Sequence, residues 1–473
     1  MEEYDLIVIG SGPAGEKAAV KAAYYGYSVA LVEKETMYGG AGTNTGTLPS
    51  KTLKETALYL SGKRDKGLFG VDRALERSAS IKDFFYRKDF VTKEQGDDIQ
   101  SNLMYHKVHT IHGAARFVDA HTLEVKGADT GRIRGEKILI ATGYYPFQPP
   151  GIPFDGKFVH DSDTILNIDR IPDSIVIVGA GVIGCEYATI FATMGCRVTL
   201  VNSHASILPW LDRQICNELL KYMEEDGIVP CFDNRVEQVT VDNSGEMPIV
   251  RAHLKGGEPL CADMFLYAAG RSGCTGHLNL EAAGLVANER QNLNVDETYK
   301  TQVDNIYAAG DVIGFPSLAS TSMDQGRVAV AHMFGLHDIE RIAAEFPFGI
   351  YTIPEVSTYG MSEEKAKDMN INYVLGVAKY KDMPRGRILG SERGLLKLVV
   401  DKDTHRILGV HIIGPIATEL IHYGMELVES ERDLNHLIGT VINSPTLHEL
   451  YKYAAYFALG NVGDQGNRRR KKS

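Results

Sequence analysis

"YDLIVIGSGPAGEKAAVKAAYYGYSVALVEK", residues 4–34, decides the fold. An apolar strand, Leu6 to Ile9, runs into Gly10, Gly12 and Gly15, then into an alanine-rich helical stretch. A second strand, Ser28 to Val32, follows and ends at Glu33. The three glycines let the turn close and let backbone N–H groups approach a pyrophosphate at the helix N-terminus. The carboxylate about 20 residues on suits a ribose hydroxyl. A bare glycine spacing is weak evidence, but here strand, helix and acid all agree.

The pattern recurs in "DSIVIVGAGVIGCEYATIFATMGCRVTLVNSH", residues 173–204, with Gly179, Gly181 and Gly184 between strand and helix. Two dinucleotide folds imply two nucleotides. This second copy ends on Asn202 rather than an acid. A carboxylate there would repel a 2′-phosphate, whereas an amide tolerates both ribose forms, so use of both NAD and NADP is expected. Arg197 and His204 are candidate phosphate partners, the alternative being a solvated strand charge and a loop residue.

Between the copies lies "KILIATGYYPFQPPGI", 137–152, whose proline-rich end reads as a crossover between domains. A matching stretch, "MFLYAAGRSGCT", closes the second unit. In "NIYAAGDVIGFPSLASTSMDQGRVAVAHMFG" a strand then delivers Asp311 to a turn, and a helix begins near Ser317 to Ser320. After about residue 345 the strands "LLKLVV" and "ILGVHIIG" alternate with helices and no phosphate loop follows, which reads as a third, α+β domain. The expected division is 1–148 and 275–344 for the first nucleotide domain, 149–274 for the second, 345–464 for the third and 465–473 for a basic tail.

Length and composition agree with this. A chain of 473 residues suits about three domains. With 44% hydrophobic and 23% charged residues it reads as soluble and globular. A net charge of −11 argues against a nucleic-acid surface, and the basic run "NRRRKKS" reads as a solvated end. There is neither a basic, cleavable leader nor a bilayer-length apolar run, so a cytosolic location without membrane attachment is expected. All six cysteines fall between 185 and 274 without redox or zinc spacing, and they read as buried or inert thiols of a reducing compartment, with no metal site.

In this order the motifs, with "YGGAGTNTGTLPSKTL" at 38–53, "YTIPEVSTYG" at 351–360 and "GVHIIGPIATELI" at 409–421, resemble the class I flavoprotein pyridine nucleotide-disulfide reductases over nearly the whole chain. The resemblance implies an α/β fold with two Rossmann-like domains, for FAD and for NAD(P), and a C-terminal α+β dimerisation domain. It implies a homodimer in which residues 443–460 approach the partner's flavin site. In the family's turn, G-G-x-C-x-x-x-x-C-x-P-S-K, Gly42 and Thr47 stand where the two thiols would be. In "NSPTLHEL" Ser444 stands where the family has histidine, while Glu449 is kept and His448 reads as a helix residue. Thiols and base disappear together, which is coherent because the base serves the dithiol. The combination resembles the family's transhydrogenase branch, whose turn also carries threonine at the position of Thr47.

By the same resemblance Lys51 sits at the flavin N5 and pairs with Glu186, and Asp311 binds the ribityl chain. Gly10, Gly12, Gly15, Glu33 and Lys34 serve the FAD nucleotide. Gly39, Gly40, Gly42, Thr43, Gly113, Ala115, Thr142, Gly143, Gly270 and Ala319 line the remaining cofactor wall. A threonine hydroxyl is not oxidised and does not ionise near neutrality, so Thr47 is expected to fill the sulfur's volume without a redox role. Electrons then have to leave with a diffusing acceptor, and a second nicotinamide makes the enzyme a ping-pong hydride carrier between NADPH and NAD+. Two alternatives remain open at this level: a quinone or other acceptor reductase or oxidase, and a nucleotide sensor that has lost catalysis.

Overall fold

Leu6, Ile7, Val8 and Ile9 are apolar without alternation because their strand is covered on both faces, as parallel strands are. In the computed structural model, which describes residues 1–62, 80–245, 247–339, 341–391 and 393–462, this strand spans Glu2–Ile9 and pairs in parallel with Val29–Glu33 and Gly131–Ile140. His109–His112 extends the sheet in parallel on one side, and Thr122–Lys126 and Ala114–Phe117 extend it antiparallel on the other. Ile306–Ala308 returns from far along the chain to pair with Ile138 to Ile140.

The first helix, α1 (Pro13–Tyr24), has proline in its first turn, where no N–H is needed, and buries Ala14, Ala18, Ala19 and Ala22. These small side chains permit close approach. A Cβ on Gly15 would fall 1.9 Å from the Gly10 carbonyl oxygen, and one on Gly326 would fall 2.3 Å from that of Ala14. Two short helices follow, α2 (Gly40–Asn44) and α3 (Thr47–Leu60), and then the long α4 (Ile81–Tyr105). Ser80 and Asp83 close a reciprocal capping box at the start of α4.

The second nucleotide unit repeats the plan in a five-stranded parallel sheet. Its order is Val229–Cys231, Arg197–Val201, Ser174–Val178, Met264–Tyr267, Val159–Asp161. Helix α5 (Val182–Thr193) leaves the glycine turn, and a Cβ on Gly184 would fall 1.7 Å from the Gly179 oxygen. Helix α6 (Arg213–Glu225) is capped by Asp212. The two connections between the units, Tyr144–Pro146 and Arg271–Gly273, pair antiparallel. Helix α7 (Ala319–Phe334) then packs on α1.

The C-terminal unit is a five-stranded antiparallel sheet, ordered Phe348–Ile350, Val356–Gly360, Ile407–Ile413, Leu395–Asp401, Tyr373–Lys379. The helices Ala417–Glu429 and Glu449–Val462 share its core. In "LLKLVV" one residue is not apolar, and Lys397 is fully buried. Its ammonium meets Asp212 at 2.9 Å and Glu363 at 2.6 Å, which joins the third unit to the cap of α6. A buried lysine needs such partners. The basic stretch 465–473 lies outside the described residues. Among the described residues no helix is long and apolar enough to cross a membrane.

Candidate functional site

A cavity of about 1350 Å³ opens where the three units meet. Its first wall is the turn Gly10–Gly12 at the N-terminus of α1. Gly10 has φ +102°, and a Cβ there would fall 2.5 Å from the Ala141 oxygen, so only glycine fits without strain. Glu33 accepts from the Ser11 N–H at 2.9 Å, from the Ser11 hydroxyl at 2.7 Å and from the Glu35 N–H at 2.9 Å. The Ser11 hydroxyl oxygen in turn accepts from the Gly39 N–H at 3.0 Å. The acid expected to hold a ribose therefore also ties the phosphate turn to the 38–53 turn through Ser11, a residue the sequence did not single out.

The 38–53 turn lines the cavity with Gly40, Gly42 and Thr47. Asn44 holds it by donating to the carbonyls of Tyr38 and Gly40, each at 3.0 Å. A Cβ on Gly42 would fall 2.9 Å from Pro13 Cγ, so the space beside the missing first thiol is taken by that ring. Thr47 opens α3 and is exposed to the cavity. Lys51, one turn on, points across to Glu186 on α5, with Nζ 2.8 Å from each carboxylate oxygen.

Glu186 is almost fully buried and gathers donors from all sides. Besides Lys51 it accepts from the Ser50 hydroxyl at 3.2 Å and from the Tyr351 N–H at 3.0 Å. The Lys51 ammonium lies 4.8 Å from the centre of the Tyr351 ring, close enough for a cation–π contact. One turn further along α3, the buried Lys54 pairs with Glu355, which also accepts from the Thr418 hydroxyl at 2.8 Å. The neighbouring turns of one helix thus reach the second and third units.

Lys34, Gly113, Ala115, Thr142, Gly143, Gly270, Asp311 and Ala319 all line the same cavity. Burial pushes the Asp311 carboxyl above the usual aspartate range, against the pull of Arg271. Burial likewise raises Asp163, also on the wall, again opposed by Arg271. Two buried polar atoms on this wall, Thr142 Oγ1 and Arg271 Nε, have no hydrogen-bond partner within the chain. Orphaned donors of this kind point to a polar ligand.

Some expected residues stand elsewhere. Gly15, Gly39 and Thr43 do not line the cavity; Gly15 and Gly39 serve close packing, since a Cβ on Gly39 would fall 2.3 Å from Thr43 Oγ1. Gly179, Gly181 and Gly184 on the second turn, and Asn202 just after the strand Arg197–Val201, lie outside this cavity's wall. The Asn202 side chain is committed to its own loop, accepting from the Ala180 N–H at 3.3 Å and donating to the carbonyls of His204 at 3.1 Å and Ser206 at 3.0 Å.

Arg197 is a correction. It begins its strand, in register with Ser174, whereas the glycine turn follows Val178 at the other end. That is roughly 13 Å of strand away, beyond use as a phosphate partner at the turn. His448 is a second correction, because it sits in the turn before helix Glu449–Val462 and packs against the rings of both Tyr423 and Tyr451. Ser444, His448 and Glu449 do not line their own chain's cavity. The cysteines differ in burial. Cys185, Cys196 and Cys216 are buried, and burial pushes the Cys196 and Cys216 thiols up to about 12. Cys261, however, is exposed, and Cys274 lines the cavity beside Lys34 and Glu33.

Comparison with known proteins agrees with this geometry. The profile of the pyridine nucleotide-disulphide oxidoreductase family matches residues 4–326, and that of the family's dimerisation domain matches residues 346–455. A soluble pyridine nucleotide transhydrogenase of Mycobacterium tuberculosis is 42% identical over 98% of both chains. One of Colwellia psychrerythraea is 37% identical over 97% of this chain and 99% of its own. Among solved structures, the HOCl-induced flavoprotein disulfide reductase RclA of Escherichia coli superposes with a TM-score of 0.85 at 29% identity, covering 95% of this chain and 98% of its own.

Proposed function

The chain belongs to the pyridine nucleotide-disulphide oxidoreductase family, and from that premise we infer that it is an FAD-dependent transhydrogenase that passes hydride between NADPH and NAD+. The observation that carries this is the Lys51–Glu186 pair at 2.8 Å, retained beside a turn that has Gly42 and Thr47 in place of two thiols.

The residues suit FAD. The Gly10–Gly12 turn and the N-terminus of α1 would hold its pyrophosphate and Glu33 its ribose, while Asp311, Thr142 and Arg271 offer buried polar groups along the remaining wall. When bound, FAD supplies a two-electron carrier that accepts hydride from one nicotinamide and yields it to another. Lys51 keeps a positive charge on the reacting side, and Glu186 and the Tyr351 ring fix its direction. The N-terminal N–H groups of α7, beginning at Ala319, add partial positive charge to the same wall. Thr47 offers no sulfur and no titrating group, so the chain has no electron sink of its own in this turn.

The relatives named as transhydrogenases support the same substrates. We also propose a homodimer, built through the C-terminal unit that matches the family's dimerisation domain. The deciding experiment mixes the FAD-loaded enzyme with NADPH and thio-NAD+ and follows thio-NADH. Reduction within turnover time is expected, and its absence while NADPH still bleaches the flavin would remove the transhydrogenase reading.

A further inference from the structure

Helix α3 meets the third unit through two lysines one turn apart. The Lys51 ammonium lies over the Tyr351 ring, 4.8 Å from its centre, and the buried Lys54 ammonium is paired with the buried Glu355 carboxylate. Tyr351 and Glu355 both stand on the segment that enters the strand Val356–Gly360. Thr418, buried in the first turn of the helix Ala417–Glu429, reaches both of them. Its hydroxyl donates to Glu355 Oε2 at 2.8 Å, and its N–H donates to the same oxygen at 3.2 Å. Its side chain also hydrogen-bonds the Tyr351 phenol. The two side chains come together beside Gly349, where a Cβ would fall 3.0 Å from Thr418 Cγ2 and 3.5 Å from Tyr351 Cε2.

The direction of these bonds follows from the groups. A hydroxyl has one hydrogen, and beside the Lys54 ammonium the Glu355 carboxylate offers only acceptors, so the Thr418 hydrogen is taken. The Thr418 oxygen keeps lone pairs for the Tyr351 phenol, which stays protonated because burial pushes its pKa above the ordinary tyrosine value. Donors therefore run one way, from Tyr351 to Thr418 to Glu355, with Lys54 anchoring the far end. At the near end the Tyr351 N–H holds Glu186 at 3.0 Å while the ring lies against Lys51. A ring tied at its backbone and at its phenol keeps one tilt, and that tilt decides where the ammonium meets the negative π-face.

We propose that Thr418, its hydroxyl oriented by the Lys54–Glu355 pair, is a positioning residue for hydride transfer: it fixes the Tyr351 ring and, through the ring, the Lys51 ammonium on the reacting side of the cavity. Because Thr418 acts through Lys51, its effect disappears once that ammonium is gone. The flavin readouts rest on the reading of the cavity as an FAD site, whereas the coupling of Thr418 to Tyr351 is measured without it.

The test follows bleaching of the FAD-loaded enzyme by NADPH in stopped flow. Thr418→Val keeps the shape and removes the hydroxyl, and the limiting rate is expected to fall about tenfold, the scale of one hydrogen bond, with half-saturation in NADPH unchanged. Thr418→Ser, which restores the hydroxyl, should restore the rate. In the Lys51→Met background the same valine should change the rate by less than about twofold. A full loss in that background would overturn the proposal, since Thr418 would then act without Lys51. A loss confined to half-saturation would also overturn it, since Thr418 would then hold the nucleotide itself. The midpoint potential of the bound FAD should fall by about 20 mV in Thr418→Val, a fivefold shift for two electrons, and stay put when valine is added to Lys51→Met. An unmoved potential in Thr418→Val counts against the proposal. Tyr351→Phe removes only the phenol oxygen and should reproduce every one of these changes, which serves if the valine variant does not fold. In thermal melts, with or without FAD, Thr418→Val and Tyr351→Phe together should cost about as much as the worse single. Additive losses would overturn the proposal whatever the cavity binds. If the couplings hold but thio-NAD+ is not reduced, the transhydrogenase reading falls and the positioning role stands.

Discussion

Lys51→Met keeps the length of the side chain and removes only its ammonium, which isolates the contribution of the Lys51–Glu186 pair. At 2.8 Å and an effective dielectric constant of about 20, the gross attraction is about 6 kcal/mol. Breaking a fully buried pair by removing one partner costs about 3–5 kcal/mol, chiefly for the stranded charge. Two features reduce that here. The Lys51 side chain is 24% exposed, and Glu186 would keep the Ser50 hydroxyl and the Tyr351 N–H. The expected net loss is about 2 kcal/mol. For a chain of 473 residues, unfolding with about 1 kcal/mol/K of entropy, that lowers the melting temperature by about 2 °C. Glu186→Gln removes the other charge, and the double variant should recover at least about 1 kcal/mol relative to the sum of the singles, because no charge is left stranded. NADPH-driven bleaching of the flavin should slow by about 100-fold in Lys51→Met, the scale of one lost electrostatic contact at a reacting centre. Strict additivity of the two variants in thermal melts, together with an unchanged bleaching rate, would refute the claim that the pair acts as a unit at this site.

Asn202→Asp sets a carboxylate beside the second phosphate turn and removes two amide donations from the loop. The ratio of kcat/KM for NADPH to that for NADH should fall about five- to tenfold, and an unchanged ratio would show that the ribose lies elsewhere. The two-electron-reduced enzyme should show no long-wavelength thiolate charge-transfer band, since the one thiol on the cavity wall, Cys274, stands near Lys34 and Glu33 and is pushed upward by burial. Such a band that disappears in Cys274→Ser would contradict the geometry. His411 is fully enclosed, bonded to the Thr358 hydroxyl and the Met361 carbonyl and faced by Asp212, Lys397 and Glu364. Burial holds its pKa below the ordinary histidine value, so the folded chain keeps it neutral. Below about pH 6.5 the unfolded chain binds the extra proton, and stability is lost as pH falls, by up to about 1.4 kcal/mol per pH unit for this one group. The pH dependence of the melting temperature between 7 and 5 should therefore be flatter in His411→Gln, and equal slopes would sink the assignment.

Much of this architecture was legible because glycine turns, doubly buried strands and an acid at fixed spacing have few other physical uses. The Lys51–Glu186 pairing was legible only through resemblance, since 135 residues separate the two and no local pattern connects them. What stayed hidden falls into two kinds. Ser11 and Asn44 are ordinary turn residues whose side chains become structural only once two turns face each other. Nothing in "LLKLVV" marks Lys397 as buried, and only the third dimension supplies Asp212 and Glu363. Arg197 failed for a simpler reason. Its position in the sequence suggested nearness to Asn202, but an extended strand carries its two ends to opposite edges of the sheet.

The same contacts bear on how two nicotinamides can share one chain. Glu186 belongs to the second unit, yet its carboxylate is held by Lys51 and Ser50 of the first and by the Tyr351 N–H of the third. Beside it the Ile353 N–H donates to the Thr189 hydroxyl at 3.2 Å. At a separate point the second unit is joined to the third by the Asp212–Lys397–Glu363 cluster, in which Asp212 and Lys397 are buried. Swinging the second unit away would expose or strand charges at both places, at several kcal/mol each. Alternation between NADPH and NAD+ is therefore expected to proceed by exchange within a standing pocket, with the units closed throughout. Small-angle scattering should give the same radius of gyration with NADP+, with NAD+ and with neither. A nucleotide-dependent expansion would show that the two clusters open in turnover, and the retained Lys51–Glu186 pair would then have to be read as a latch rather than a fixed support.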